Sequence, residues 1–489
     1  MKNCVTLLFG ILGLAATTVA EPLPPLRIAA NQRLFVDAQE RPIFILGDTA
    51  WALVMRLKRE EITEYLEHRH RQGFNAIAVV IYAPANTEIA HSTVNAYGHS
   101  PFATVDGRLD PLQPLVTPGS DPTSKSEYDY WDHVDFAVAE TKRLGFYLFL
   151  LPCWGNEVVH VVNPASPTAR DVGPRPLTNP DNARAYGRWL GERYPHATHV
   201  AWMLGGDRSA VDAKTGTDFR PAFRAMAASL KQAAPEALIS YHPQKAGLQS
   251  GDWFHNDEWL AFNSIQLWPD AQVGKIARDW NAKPTKPTWL FEGRYEGYWK
   301  GGYKPEDWGE WQIRQQAWQT VLAGAFGHVY GHERIFAFGA TGSDWRSFLE
   351  TPGASGMTHL AAFMQRLDSR VALSRVPAQE LLVGPPGQAR RLTSDLIVAS
   401  RTPDGRFAMA YSANGRTVTI KLSLLTGTLS AAWFNPRNGL WHANEDESAS
   451  QTPFAHNIVA GPGAPDRDFD PPGEAGDGND WILVLGAAN

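Results

Sequence analysis

From about residue 40 to residue 335, short apolar, β-prone runs alternate with longer stretches whose apolar positions recur every three or four residues. The longer pattern buries one face of a helix, and its alternation with short buried strands marks βα units on a parallel sheet. Eight runs read as strands, at 42–46, 76–82, 147–151, 199–204, 238–241, 261–267, 288–291 and 327–330. Eight is the number that closes a (β/α)8 TIM barrel. Helical spacing is clearest over 60–72, 130–144, 182–193, 218–233 and 308–325, with a last helix around 358–367. Ahead of the first strand, 26–29 and 33–36 flank Asn31 as a small hairpin expected under the lower end of the barrel. From Val376 onward the pattern changes to short alternating strands, with turn signals at Pro403-Asp404-Gly405, Asn414-Gly415 and Asn438-Gly439. These predict a C-terminal antiparallel β-sandwich. The acidic, Gly/Pro-rich stretch 461–480 reads as an exposed, mobile loop without the fixed spacing of a calcium loop.

The first residues change the domain count. Lys2, the apolar run 5–16 and the small-residue pattern Thr18-Val19-Ala20 read as a signal peptide, so the protein is expected to be secreted or periplasmic. The expected organisation is a signal peptide over 1–20, a barrel over 21–372 and a sandwich over 373–489. No later run approaches the roughly 20 apolar residues of a membrane span, so a soluble mature protein without a membrane partner is expected. Cys153 is then the one remaining cysteine, which excludes an internal disulfide. A net charge of −6 with both signs interspersed argues against nucleic acid as a partner. The 18 tryptophans are the informative excess, because flat aromatics stack on the apolar faces of sugar rings, although a large core also consumes tryptophan. Oligomeric state is not legible.

In a TIM barrel the chemistry sits at the C-terminal strand ends. Those positions here carry Asp48, Tyr82, Trp154 with Glu157, Asp207, His242, Gln266 with Trp268, Glu292 with Arg294 and Tyr295, and His332 with Glu333. Such a mouth suits a substrate covered in hydroxyls, an oligo- or polysaccharide. Two strand ends are sharpest: Trp202-Met203-Leu204-Gly205-Gly206-Asp207 and Trp289-Leu290-Phe291-Glu292-Gly293. Strands four and seven face each other across a barrel mouth, and glycosidic cleavage needs two carboxyl groups, one to protonate the leaving oxygen and one to attack or stabilise the cationic carbon. The competing reading of each acid is a helix cap or an ion pair with Arg208 or Arg294.

Gly47-Asp48-Thr49-Ala50-Trp51, Gly73-Phe74-Asn75, Gly205-Gly206-Asp207 and Phe291-Glu292-Gly293 together resemble the apiosidase-like barrels of glycoside hydrolase family 140. The tail, with Trp433-Phe434-Asn435-Pro436-Arg437 and Trp481-Ile482-Leu483-Val484-Leu485, resembles the small domain usually attached to them, often labelled collagen-binding. The resemblance implies a plant cell-wall substrate, for example an apiose-linked pectin side chain, with Asp207 as general acid/base and Glu292 as nucleophile of a retaining mechanism. Larger-clan barrels usually carry Asn-Glu where this chain has Gly206-Asp207, which leaves retention or inversion open and the 2-hydroxyl contact to a group such as His242 or Gln266. Around this pair, Arg294 is expected to keep Glu292 ionised, Asp48 and Glu157 to hold hydroxyls, and Trp51, Trp154 and Trp268 to form stacking walls. Tyr82, Tyr295 and His332 complete the expected substrate contacts.

No cofactor motif is present, and no metal is expected, since the close pair His68-Arg69-His70 lies mid-helix with its histidines two apart, on different faces. A His-Glu-x-x-His peptidase motif is absent. Cys153 has no histidine at a partner spacing and reads as a small core hydrophobe. The alternative from another class is a non-catalytic glycan-binding or adhesion protein, because binding sites also collect acids and tryptophans.

Overall fold

Strands covered by helices on one face and by packed side chains on the other must be apolar along their whole length. Eight such strands form one parallel sheet: β1 (Ile45–Thr49), β2 (Ala76–Val80), β3 (Tyr147–Leu151), β4 (Val200–Gly205), β5 (Leu238–His242), β6 (Asn263–Gln266), β7 (Thr288–Glu292) and β8 (Gly327–Tyr330). The computed structural model describes residues 23–84, 87, 89, 90, 92–124, 126–160, 175–244, 248–267, 272–298, 308–339, 344–384, 395–442 and 453–487. The expected signal peptide and Trp268 lie outside the described residues. The strand order is β5-β4-β3-β2-β1-β8-β7-β6. A parallel bridge from Ile239 to Leu260 and the Ser240 hydroxyl donating to Phe262 O at 2.6 Å close the remaining seam, so the sheet is a barrel.

Outer helices follow the strands: α1 (Arg59–Arg71), α2 (Tyr130–Arg143), α3 (Pro180–Arg193), α4 (Arg220–Ala233), α5 (Gln272–Asn281), α6 (Glu310–Leu322) and α7 (Pro352–Gln365). Their starts are set locally. Asp129 caps α2 by accepting from Trp131 N and Asp132 N, and Asn179 with Pro180 opens α3. After β5 the helix is reduced to one turn, Gly251–Phe254, and α5 follows β6 where the sequence spacing had shown no helix. No described helix is long and apolar enough to cross a membrane.

The first barrel strand runs three residues later than the pattern suggests. Pro42–Ile43 belongs to a three-stranded ribbon with Arg27–Ile28 and Phe35–Val36, and Pro42, lacking an N–H, sits in its edge strand. The ribbon closes the lower end, where Phe35 packs edge-on against Phe262 and Phe326.

A short helix, α8 (Ser369–Ser374), leads into the C-terminal domain. Its main sheet contains β9 (Val376–Pro377), β10 (Ile397–Arg401), β11 (Phe407–Ser412), β13 (Gly427–Asn435), β14 (Leu440–His442), β15 (Ala455–Ala460) and β17 (Trp481–Ala487). Their order is β9-β10-β11-β17-β13-β14, with β15 also pairing with β13. A second sheet pairs β12 (Val418–Lys421) with β16 (Asp466–Phe469). Val418, Ile420 and Phe469 of this ribbon share one buried core with Ala399, Ala408, Leu483 and Leu485 of the main sheet. The stretch 461–480 therefore departs from the expected loop: it contributes β16, and Asp480 at its end is fully buried.

Candidate active site

Glu292 is the last residue of β7, and strict alternation would send it to the side opposite Phe291. A β-bulge prevents this. Ser264, Ile265 and Gln266 pair with Trp289, Leu290 and Glu292, so Phe291 is the extra residue. Bulges re-aim side chains, and this one leaves both Phe291 and Glu292 facing the mouth. Phe291 packs edge-on against His242 at 5.2 Å and Trp51 at 5.7 Å. The Tyr295 hydroxyl donates to Glu292 Oε1 at 3.1 Å, and His242 Nε2 lies 2.8 Å from Glu292 Oε2, close but off the line of a good hydrogen bond.

The direction of the Tyr295 proton is fixed by its neighbour. Trp51 Nε1 donates to the Tyr295 hydroxyl at 2.8 Å, and an indole N–H cannot accept. The phenol oxygen therefore receives from Trp51 and turns its own hydrogen to the carboxylate. Burial and the Glu292 charge push the Tyr295 phenol well above its ordinary range, so it stays a donor. Trp51 also stacks on His242 at 5.4 Å and 21°, while Trp154 stands across both, 5.9 Å from His242 and 5.8 Å from Trp51. Two indoles, an imidazole and a carboxylate thus line one cup.

Asp207 follows the end of β4, which is tied to the backbone of His242. His242 pairs with Gly205 in the ladder, and Gly206 N donates to His242 O at 3.2 Å. Gly205, Gly206 and Asp207 all have positive φ, at 98°, 86° and 54°. A Cβ on Gly205 would meet His242 O at 2.3 Å and one on Gly206 would meet Gly155 N at 2.6 Å, so both glycines are required. Asp207 holds the left-handed conformation without glycine's freedom, a strained backbone of the kind that collects at functional sites. Arg208 Nη1 donates to Asp207 O at 2.7 Å and lies 3.4 Å from its Oδ2. His242 thus meets Glu292 with its ring, and with its main chain the two glycines that precede Asp207.

Of the other expected residues, Gln266 pairs with Glu292 in the ladder and is buried with its Oε1 unpartnered. Tyr82 and Glu157 are buried in the side wall. Tyr82 packs edge-on against Phe102 and Tyr186, and the Glu157 charge adds to burial in raising its phenol. Three residues point elsewhere. Asp48 faces away from the mouth, its Oδ2 accepting from Tyr65 and from Arg69 Nε of α1 at 2.6 Å each, with no exposed surface. Arg294 turns to α6, donating to Gln312 O and Gln315 Oε1 at 3.1 Å each. His332 packs on Phe348, accepts from Arg334 N at its Nδ1, and is held down to about 3 by burial and the Arg69 and Arg334 charges. Burial raises the Cys153 thiol, which keeps it an inert core group.

The site also contains residues the sequence reading passed over. Thr49, one position after Asp48, is the inward residue of β1, and Gly331 leaves the space that Thr49 Oγ1 and the Tyr295 ring occupy. Arg208, expected from the sequence only as a competing ion-pair partner, does stand 3.4 Å from Asp207 Oδ2. Among the described residues no cluster of three or more His, Cys, Asp or Glu is arranged to hold a metal.

The apiosidase-like catalytic-domain model matches residues 29–370. The chain belongs to the apiosidase-like family. Its barrel is the catalytic domain of a glycoside hydrolase, and residues 376–486 match the model described as "Putative collagen-binding domain of a collagenase". A solved structure named "Glycoside hydrolase" aligns with a TM-score of 0.75 and 25% identity, over 95% of this chain and 97% of that one. A glycoside hydrolase family 5 structure from Bacteroides vulgatus ATCC 8482 aligns with a TM-score of 0.73 and 24% identity, over 94% of this apiosidase-like chain and 93% of that one, a likeness of fold. No curated protein matches the chain.

Proposed function

We propose that this apiosidase-like protein is a secreted enzyme that cleaves a plant cell-wall glycan by double displacement, with Glu292 as nucleophile and Asp207 as acid/base. The observation that carries the reading is the bulge that turns Glu292 into the aromatic cup, where Tyr295 and His242 approach its two oxygens. Secretion rests on the signal-like N-terminus, and the substrate class on the family.

A Glu292 oxygen attacks the anomeric carbon while the bond to the departing oxygen breaks and Asp207 gives that oxygen its proton. Asp207, now a carboxylate, then takes a proton from water, whose oxygen bonds to the anomeric carbon and releases Glu292. Tyr295 and His242 keep the Glu292 carboxylate in one orientation, so little alignment is left to achieve when substrate binds. The unpartnered Gln266 Oε1 suits a hydroxyl donor.

Incubation with a panel of pectic and hemicellulosic oligosaccharides, followed by proton NMR of the first product formed, tests this reading. Release of a sugar whose anomeric configuration matches the substrate supports it. Inversion removes the nucleophilic role of Glu292, and no release from any cell-wall oligosaccharide removes the substrate class.

A further inference from the structure

An outer helix of a barrel normally keeps one face in water. Helix α6 does not: eleven of its thirteen residues are buried, among them Arg314, Gln315, Gln316 and Gln319. One side of the helix lies on the ends of β6 and β7. Gln316 is 1% exposed, its Nε2 donates to Leu267 O at 3.2 Å, and its Oε1 accepts from Arg294 N at 2.7 Å. A Cβ on Gly293 would stand 2.2 Å from that Oε1, so the amide occupies the space of a missing side chain. Gln316 therefore clamps the residues that follow Gln266 and Glu292, beside the bulge that aims the carboxylate. Leu267 N, which donates to Glu292 O at 3.0 Å, belongs to the same knot.

The other side of α6 is held by the C-terminal domain. Arg314 and Asp480 form a doubly bonded pair at 3.0 and 3.1 Å, with side chains 2% and 0% exposed. Trp311 Nε1 donates to Ala413 O, Gln319 Nε2 donates to Leu396 O, and Trp318 stacks on Tyr411 at 14°. Most of the domain's described aromatics are turned inward. Tyr411, Trp433, Phe434 and Trp481 are buried, and its exposed large apolar residues among those described are aliphatic: Val383, Leu424, Leu440 and Val459. Of its half-buried aromatics, Trp441 packs on Phe363 and Phe434, and Phe454 stacks on Trp433.

We propose that the C-terminal domain serves the active site of its own chain, holding α6 against the β6 and β7 ends, and that Gln316 is the positioning residue through which it fixes Glu292. This inference rests on the reading of Glu292 as nucleophile. A ligand-binding role for the domain would leave α6 as passive packing, whereas a positioning role makes kcat depend on contacts that no substrate touches.

The test uses the full chain and a glycan that the wild-type protein cleaves. Gln316→Leu removes both hydrogen bonds at nearly constant volume, and kcat should fall about tenfold to a hundredfold, the cost of a misplaced reacting group. KM should change little, and the acid limb of the kcat/KM profile should move as the surroundings of Glu292 change. Arg314→Met with Asp480→Leu removes the buried pair together, leaving neither charge stranded, and should lower kcat in the same direction at constant KM. A wild-type kcat and pH profile in Gln316→Leu would overturn the inference. Should that variant fail to fold, unchanged kcat in the Arg314/Asp480 double variant overturns it instead. Absence of turnover by the wild-type protein on every glycan is a different failure, that of the nucleophile reading itself, and this inference falls with it.

Discussion

Arg208 Nη1 stands 3.4 Å from Asp207 Oδ2, and a cation at that distance favours the ionised carboxylate. An acid catalyst must instead hold its proton at working pH, so Arg208 limits how far into alkali Asp207 can protonate a leaving group. Arg208→Gln should therefore move the alkaline limb of the kcat/KM profile to higher pH, which a pH series on one chromogenic glycoside reads directly; an unmoved limb separates Asp207 from the acid role. At this scale the sequence was informative about which residue types meet, and less so about direction. Glu292, His242, Trp51, Trp154 and Tyr295 do converge. Asp48 was misplaced because β1 begins at Ile45, which makes Asp48 a strand residue of outward parity and gives the inward position to Thr49. Arg294 was misplaced because its partners, Gln312 and Gln315, lie on a helix that sequence distance does not connect to the strand end.

Elements place these residues by small irregularities. The Phe291 bulge and three successive positive-φ residues at the end of β4 depart from ideal strand geometry at the two positions where carboxylates are presented. Gly205→Ala would set a Cβ 2.3 Å from His242 O in a conformation that L residues rarely adopt. Backbone strain alone should cost about 1–3 kcal/mol, seen as a lower denaturant midpoint, and displacement of His242 should depress activity further. A midpoint equal to that of the wild-type protein would mean that the strand end relaxes freely. The two glycines were visible in the sequence and their use followed from chemistry. The bulge was not, because it depends on the register between β6 and β7, a pairing that no local pattern encodes. Strand count was legible for the opposite reason: each barrel strand is buried on both faces and announces itself as an apolar run.

Over the whole molecule, burial decides how the protein answers acid. His133, His199 and His328 are 0%, 2% and 2% exposed, and burial holds them down to about 4, 4 and 3 from the ordinary 6.5. The folded protein keeps these rings neutral, while the unfolded chain takes up protons below 6.5, so acid draws the equilibrium toward unfolding. Stability should be level above about pH 6.5, fall between 6.5 and 4 for all three and His332, and continue to fall toward 3 through His328 and the equally depressed His332, each ring contributing on the order of 3 kcal/mol. Denaturant midpoints at pH 7, 5 and 4 check this, and a midpoint independent of pH would show the rings reachable by water. The two-domain plan was legible from the change of periodicity near Val376, whereas the role of α6 was not, because its polar residues resemble a solvated face until Asp480, Ala413 and Leu396 are brought against them. The central claim is that Glu292 reacts and does not merely bind. The most direct measurement compares turnover and affinity of Glu292→Gln and wild-type protein for one cleaved oligosaccharide, by reducing-sugar release and by calorimetry. The account predicts that release disappears while the dissociation constant stays close to that of the wild-type protein; release that survives the substitution would contradict it.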